Sequence, residues 1–577
     1  MEDQKGLKRL MDERIAKLDS LKEKGIKPYP HTFDLKNKAK ELHEKFGKLK
    51  SAEHTKSKVI VAGRVRSIRV MGKVSFADLE DSTGRIQLYF RLDNFEKPVF
   101  KLLKKLDPGD FLGAEGLIFK TKTGELSIEV KKFTILSKAI RPLPSNWYGL
   151  KDPETRYRNR AIDLVMNPEV KKVFEMRSKA LSLMREFLES KGFLEVETPL
   201  LQPVYGGANA NPFMTHLNSL DMDIYLAISP ELYLKRLIVG GYDKVYTICK
   251  NFRNEGIDRS HNPEFTMMEC YAAYWDYNDM MKLTEEMFAY IFKKVLGTTK
   301  VKFEGKTLDF KAPWKRLTMY QAIKKYTGIQ VKGLSKKEIL AEVKKAGLKF
   351  NYNKDDSRGI IVIELFDQFC SDNIMQPTHV IDHPWESTPL CKVHRKDKDL
   401  IERFEPFAFG YELANAYTEL NDPIKQRELF VDQVKRMTGG EKETHPQDEE
   451  FIEALEYGMP PTGGLGIGFD RLIMFLTGQR SIRDVIFFPF MRGHTPIVKK
   501  DDKGRKFSVS PEIFEKFPEL NIGVVIAKGL NNKGKNKEVK NLIKQEIKNF
   551  KVTELGKEPK ITAWRKAYQS LGVKKYK

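Results

Sequence analysis

Two neighbouring segments constrain this chain more than any others: DKVYTICKNFRNEG (243–256) and HNPEFTMMECYAAYW (261–275). The first alternates, which places Cys249, Asn251, Arg253 and Glu255 on one face of a strand. The second does the same for Phe265, Met267, Glu269 and Tyr271. The stretch GIDRSHNP between them reads as a polar loop closing an antiparallel hairpin. An arginine, two glutamates, a phenylalanine and a tyrosine then converge on one sheet surface. Such a face can clamp a phosphate with Arg253 and stack an aromatic base on Phe265. A lone arginine–glutamate pair on a strand is more often a solvated ion pair. The run HNPEFTMME at this distance reverses those odds.

Three further stretches carry chemistry. In RFEPFAFGYELANAYTELND (403–422), Glu405 and Glu412 straddle a tight turn at Ala408–Gly410 and can face each other. Opposed carboxylates repel unless a cation lies between them, and oxygen-only ligation suits Mg²⁺ bound together with phosphates. An exposed acidic hairpin edge explains the pair equally well. Asn415, Tyr417 and Glu419 share a strand face, and strict alternation puts Glu412 on the other. Bringing Glu412 to the face of Glu419 therefore requires a bulge near Ala414. In TGGLGIGFDRLIMFLTG (462–478), Gly464, Gly466 and Gly468 permit close backbone approach, and Asp470 and Arg471 open an amphipathic helix. Neither a Walker A loop nor a dinucleotide fingerprint is present there. In ISPELYLKRLIVGG (228–241), Ser229 suits a helix cap, Pro230 the first position and Glu231 the first turn. A structural account of Glu231 is complete by itself.

The periodicity divides the rest of the chain. Leu7, Leu10, Met11, Ile15, Leu18 and Leu21 recur at helical spacing, with Gly25 as a stop, so residues 1–57 read as a helical extension. From 58 to 140 five short alternating strands, with one helical interval near 95–105, fit a closed barrel of the OB type, which commonly binds single-stranded nucleic acid. A Pro- and charge-rich linker is expected over 141–164. A larger α+β region extends over 165–495, carrying a Lys-rich helical insertion at about 303–355. Residues 500–577 form a third, short unit.

Composition narrows the partners. The chain holds 102 Lys+Arg against 79 Asp+Glu, a net charge of +23. Residues 500–577 contribute 20 Lys+Arg and 9 Asp+Glu, so nearly half the excess sits in the last seventh. A basic excess favours a polyanionic partner or simply solubility. No run approaches the ~18 apolar residues of a membrane span, and the N-terminus lacks an apolar h-region. Residence in the cytoplasm, away from membranes, is the expectation. The four cysteines, Cys249, Cys270, Cys370 and Cys391, include no CxxC pair, which disfavours a zinc ribbon or disulfide scaffold.

Taken as a set, these segments resemble the three motifs of class II aminoacyl-tRNA synthetases, most closely the lysyl enzymes. VFEMRSKALSLMREFLESKGFLEVETPLLQP (173–203) is similar to motif 1, FRNE…HNPEFTMME to motif 2 and GLGIGFDR to motif 3. The resemblance covers about residues 1–493, and neither HIGH nor KMSKS occurs. It implies an antiparallel-sheet catalytic domain, an N-terminal OB-fold anticodon-binding barrel and a small appended C-terminal domain. It further implies activation of L-lysine with ATP to lysyl-adenylate and diphosphate, then transfer to the 3′ end of tRNA(Lys). Mg²⁺ would assist, and motif 1 would form a homodimer. The alternatives are an ATP-dependent lysine ligase acting on a protein, or a non-catalytic tRNA-binding paralogue.

The resemblance also assigns residues. Arg253 and Arg471 would be catalytic, and with Glu255, His261, Asn262, Phe265, Glu412 and Gly468 they would bind ATP. Glu405 and Glu412 would hold magnesium. Gly207, Glu231, Glu269, Tyr271, Asn415, Tyr417 and Glu419 would bind lysine. Arg69, Phe76, Gln87 and Glu125 would read the anticodon, with ordinary barrel core as the other account of Phe76. Asn211, Cys249, Cys391, Ala414 and Ala416 depart from the residues usual in the family. The tail PEIFEKFPELNIGVVIAKGLNN, together with the charged stretch after it, resembles the opening part of a B3/B4 domain. That tail implies either added tRNA-backbone affinity or a solubilising appendage.

Overall fold

Five antiparallel-leaning strands close the first domain of the structure, a computed structural model describing residues 2–144, 150–438 and 448–491, plus Lys499–Lys500 and Lys506–Phe507. They are β1 (His54–Met71), β2 (Val74–Glu80), β3 (Arg85–Arg91), β4 (Phe111–Lys120) and β5 (Leu126–Ser137), closed in the order β1-β2-β3-β5-β4. Their alternation sends Ala77, Leu79, Ile86, Leu88, Phe90, Leu112, Ile128 and Val130 into a buried core. The helical interval appears as Lys97–Lys101 flanked by two 3₁₀ turns. The N-terminal helix, Glu2–Glu23, stops before Gly25 (φ 71°) and tucks Leu21 into the barrel core. Its Arg14 donates to the carbonyls of Ala139 (2.8 Å) and Pro108 (3.2 Å), fixing helix to barrel.

A nine-stranded sheet organises the second domain. In spatial order it runs Lys315–Thr318, Thr378–Pro384, Leu400–Ala408, Ala414–Thr418, Thr462–Gly468, Glu264–Ala273, Lys244–Phe252 and Leu194–Glu195, with Tyr411–Glu412 paired beside Leu400–Ala408. The two outermost strands run parallel to their neighbours, and the antiparallel pairings lie within. One face buries Met268, Cys270, Phe404, Leu465 and Ile467 against the helices Pro168–Ser190, Tyr277–Leu296 and Phe469–Thr477. Period-two alternation leaves the intervening residues on the opposite face, where the site lies. Among the described residues no helix is long and apolar enough to cross a membrane.

Three expectations change. The linker over 141–164 contains the helices Pro153–Arg158 and Arg160–Met166. Asp152 caps the first through the amide of Thr155, and Arg160 donates to the carbonyls of Phe487, Arg483 and Ile486 while paired with buried Asp163. From Asp152 on, the stretch is therefore a docked helical entry to the catalytic domain. The insertion at 303–355 is not wholly helical: the Lys300–Phe303/Lys306–Asp309 hairpin overlaps its start, and Lys315–Thr318 within it joins the main sheet. The strand expected to reach Glu255 ends at Phe252, so Arg253 and Glu255 share no strand face with Cys249. The stretch 403–422 does turn after Ala408, as Leu400–Ala408, Tyr411–Glu412 and Ala414–Thr418. Phe407 pairs with Glu412, whereas Phe404 pairs with Ala416, so one extra residue lies between Glu412 and Ala416. That is the bulge the alternation demanded.

The connection Arg253–Glu264 falls in a separate unit from the rest of the domain, together with Pro489–Met491, and is described by itself. The C-terminal unit expected over 500–577 lies outside the described residues, apart from the antiparallel pair Lys499–Lys500 and Lys506–Phe507.

Candidate functional site

A strand face without side chains, Gly464 and Gly466 of Thr462–Gly468, makes the floor of the site. Gly464 pairs with Tyr271 on one side and Tyr417 on the other, and Gly466 pairs with Glu269 and Asn415. All four polar residues therefore stand on one face, in two rows separated by bare backbone. A Cβ on Gly464 would overlap the Glu419 carboxylate and the Tyr271 ring. Gly207, at φ 83°, closes the side: a Cβ there would meet Ser229 Oγ at 2.8 Å and Glu231 Cβ at 2.9 Å. The glycines are required by neighbours, not by the turn rule alone.

Three carboxylates gather around this floor. Glu231 opens the helix Glu231–Val239, its amide donating to Ser229 Oγ at 3.1 Å. Glu269 accepts from Ser229 Oγ at 2.9 Å and from the Tyr271 hydroxyl at 3.2 Å. Glu419 lies just past the strand Ala414–Thr418. Their exposures are 4%, 3% and 0%, so all three are desolvated. Lys235, also 0% exposed, places Nζ 2.6 Å from Glu231 and 2.5 Å from Glu419. Burial pushes the Glu419 carboxyl up to about 8; Lys235 opposes that shift and Glu231 adds to it. Burial raises the Glu231 carboxyl too, again against Lys235. Lys235 itself is held firmly charged, since its two acid partners outweigh its burial. Among the described residues Oε1 of Glu419 has no hydrogen-bond partner. Cys249, beside Glu269, is pushed up to about 12 by burial and serves as a small neutral filler.

A second group sits toward the other end of the floor. Phe265 lies on the same strand face as Glu269 and Tyr271. Arg471, in the helix just after Gly468, donates to the Glu412 carbonyl at 2.7 Å and lies 3.4 Å from its carboxylate. Arg403 pairs with Glu405 and donates to Asn415 Oδ1 at 3.0 Å, while Asn415 donates to the Tyr417 hydroxyl at 2.6 Å. The bulge turns Glu412 onto the face of Glu405, Asn415 and Tyr417. Among the described residues no three His, Cys, Asp or Glu come together as a metal cluster. Glu405 and Glu412 offer oxygen donors only, which fits a hard cation that takes its remaining ligands from phosphates and water.

The separate unit holds Arg253, Glu255, His261 and Asn262. Within it the amide of Arg253 donates to Pro263 O at 2.9 Å. Asp258 collects the amides of Ser260 and His261 and the His261 ring. Asn262 donates to the Glu264 carbonyl and accepts from the Phe490 amide at 3.1 Å.

On the barrel, Arg69 pairs with Phe76 and Phe76 with Tyr89, their rings 5.0 Å apart. Ser75, Ala77 and Leu79 point inward, so Phe76 faces out and the barrel-core account of it fails. Gln87 accepts from Ser127 at 3.0 Å on the same outer surface, and Glu125 is exposed at the β4–β5 turn.

Sequence reasoning missed Arg403 and Lys235. Each had a signal: Arg403 shares strand parity with Glu405, and Lys235 stands four residues after Glu231 on a helix. It also missed Arg177, which donates to Asp470 at 2.5 Å and to Thr266 Oγ1 at 3.1 Å, while Asp470 accepts the Thr266 amide at 2.7 Å. That triangle joins the three motif segments.

Comparison with known proteins agrees with this geometry. Residues 152–492 match the family of class II tRNA synthetases (D, K and N), and residues 59–136 match the OB-fold nucleic acid binding domain. The chain is 49% identical over 487 residues to a lysine–tRNA ligase of Pelotomaculum thermopropionicum, covering 84% of this chain and 95% of that protein. It is 50% identical over 487 residues to one from Clostridium novyi (84% and 94% covered). It is 49% identical over 492 residues to one from Syntrophomonas wolfei (85% and 98% covered). A glycine floor flanked by two polar rows, an acid-lined pocket and a closed anticodon-type barrel thus coincide with a family match across most of the chain, which belongs to the class II tRNA synthetases.

Proposed function

We propose that this chain is a lysine–tRNA ligase that forms lysyl-adenylate from L-lysine and ATP and passes lysine to the 3′ end of tRNA(Lys). The observation carrying the choice of lysine is the buried carboxylate group, with an oxygen of Glu419 unmatched over Gly464. A desolvated carboxylate oxygen without a donor is costly until a cation or N–H arrives. Glu231, Glu269 and Glu419 take the ammonium groups of lysine, with Tyr271 adding a hydroxyl. Asn415 and Tyr417 orient its α-groups beside Gly207.

The nucleophile is the lysine carboxylate. It forms an O–P bond at the α-phosphorus as the bond to diphosphate breaks. No side chain needs to attack, so catalysis rests on positioning and charge stabilisation. Arg253 takes the α-phosphate, Phe265 and Arg471 hold adenine between them, and Glu255, His261, Asn262 and the backbone at Gly468 complete the ATP site. Magnesium, held by Glu405 and Glu412, would neutralise phosphate charge. Homodimer formation through 173–203 is part of the same reading, supported by the exposed Leu194, Leu200 and Leu201 in that segment. The barrel separates it from a ligase acting on a protein. Cytoplasmic residence accompanies it.

Replacing Glu231 by Gln tests the pocket. The lysine KM in ATP–pyrophosphate exchange is expected to rise roughly thirtyfold or more, the loss of about 2 kcal/mol or more from a buried charge contact. The ATP KM should stay within about threefold, and unchanged lysine kinetics would remove Glu231 from the pocket. Phe76→Ala tests the barrel. Losing one base stack costs ~1–3 kcal/mol, so tRNA-dependent kcat/KM should fall about tenfold or more while adenylate formation is untouched. Equal aminoacylation by the variant would take the anticodon away from Phe76.

A further inference from the structure

We propose that Lys235 is a positioning residue for amino acid selection, its ammonium holding Glu231 and Glu419 convergent as paired acceptors for the substrate. The inference rests on the lysine-pocket reading above and goes beyond it. Glu231 belongs to the helix Glu231–Val239, and Glu419, just past Ala414–Thr418, bridges to Cys391, so the two share no backbone ladder. Among the described residues one ammonium is paired with both: Lys235 Nζ lies 2.6 Å from Glu231 Oε1 and 2.5 Å from Glu419 Oε2. Beyond it stands the Phe451 ring, 5.9 Å from Nζ, and the side chain has no exposed surface. Lys235 is thus turned wholly inward, away from solvent and from any surface role.

The charge count gives this placement a purpose. When the ammonium groups of the substrate enter and ionise them fully, Glu231, Glu269 and Glu419 carry three negative charges, of which Lys235 cancels one. Arg403 is matched by Glu405. Two negative charges remain, the number of ammonium groups on free lysine. With the carboxylate of lysine directed to the α-phosphate, its two ammonium groups balance these two charges, whereas an amino acid with an uncharged side chain leaves a buried charge unpaired. Without Lys235, two carboxylates this close would separate or share a proton, and either change spoils the acceptor pair. Burial already lifts both carboxyls, so little more is needed to neutralise one.

Lysine-dependent ATP–pyrophosphate exchange on the full chain tests the proposal through a double-mutant cycle of Lys235→Met and Glu419→Gln. Lys235→Met is expected to raise the lysine KM at least thirtyfold while the ATP KM stays within threefold. Once Glu419 is neutral the pair no longer repels, so K235M/E419Q should match E419Q alone within threefold. That double variant removes one buried cation and one buried anion together, and it serves as the comparison if K235M alone does not fold. Lys235→Met with an unaltered or lowered lysine KM overturns the proposal. So does an equal loss in lysine and ATP use, or a double variant tenfold or more worse than E419Q. A lysine KM unchanged in E419Q itself overturns the pocket reading on which the proposal stands.

Discussion

Adding a single methyl at Gly464 is expected to cut kcat/KM for lysine about a hundredfold or more. The Cβ would occupy space held by the Glu419 carboxylate and the Tyr271 ring, and both are buried with no slack behind them. Overpacking of this kind costs about 3 kcal/mol, and each 1.4 kcal/mol is tenfold. The loss should fall on lysine, because Phe265 and Arg471 lie toward the other end of the floor; ATP binding measured by calorimetry should change less than about threefold. Gly463→Ala is the matched control. Its Cβ would meet the Asp276 carbonyl at 3.1 Å and Met280 Cε at 3.2 Å, on the core face of the same strand. That variant should lose stability and keep its lysine KM. If the two substitutions proved indistinguishable in lysine kinetics, the floor would not be the binding surface.

Removing the carboxylate of Asp470 should produce the largest loss of stability. Asp470 is 2% exposed and answers both Arg177 and the amide of Thr266. Truncating one partner of a buried ion pair costs about 3–5 kcal/mol, because the other charge is left unpaired. Arg177 would retain the Val485 carbonyl at 3.2 Å and Thr266 Oγ1, neither of which neutralises it. Asp470→Ala should therefore lower the urea midpoint of the catalytic domain well below that of Asp470→Asn, which keeps an acceptor for Thr266. Equal midpoints for the two variants would show that the bond to the Thr266 amide contributes nothing and that the lost charge carries the whole effect.

Local periodicity reached far in this chain, and its failures have physical causes. The barrel was legible because its strands alternate strongly, so inward and outward positions separate without help. The bulge before Ala414 was legible because parity alone conflicts with a shared face for Glu412 and Glu419. Lys315–Thr318 was missed because KRLT looks like part of a basic helical run, and its pairing partner lies sixty residues on. The helices after Asp152 were missed although Asp-Pro is a helix-start signal, since charge density there read as a linker. Gly464 as a floor could not be read locally at all: what makes it necessary is Tyr271 and Glu419, brought from other elements. The roles of Lys235 and Arg403 depend in the same way on which acids the fold brings beside them.

The strand Thr462–Gly468 is bare only on the face that carries the site. A binding surface whose base is only backbone stores no information about its ligand; the identity of the amino acid is written in the flanking rows that lean over it. Such a base can be inherited unchanged while the rows are rewritten, which is how one scaffold can serve the aspartate, lysine and asparagine members of a single family. Redesign of substrate choice on this chain would accordingly begin with Glu231, Glu269, Tyr271 and Glu419, and leave the glycines alone.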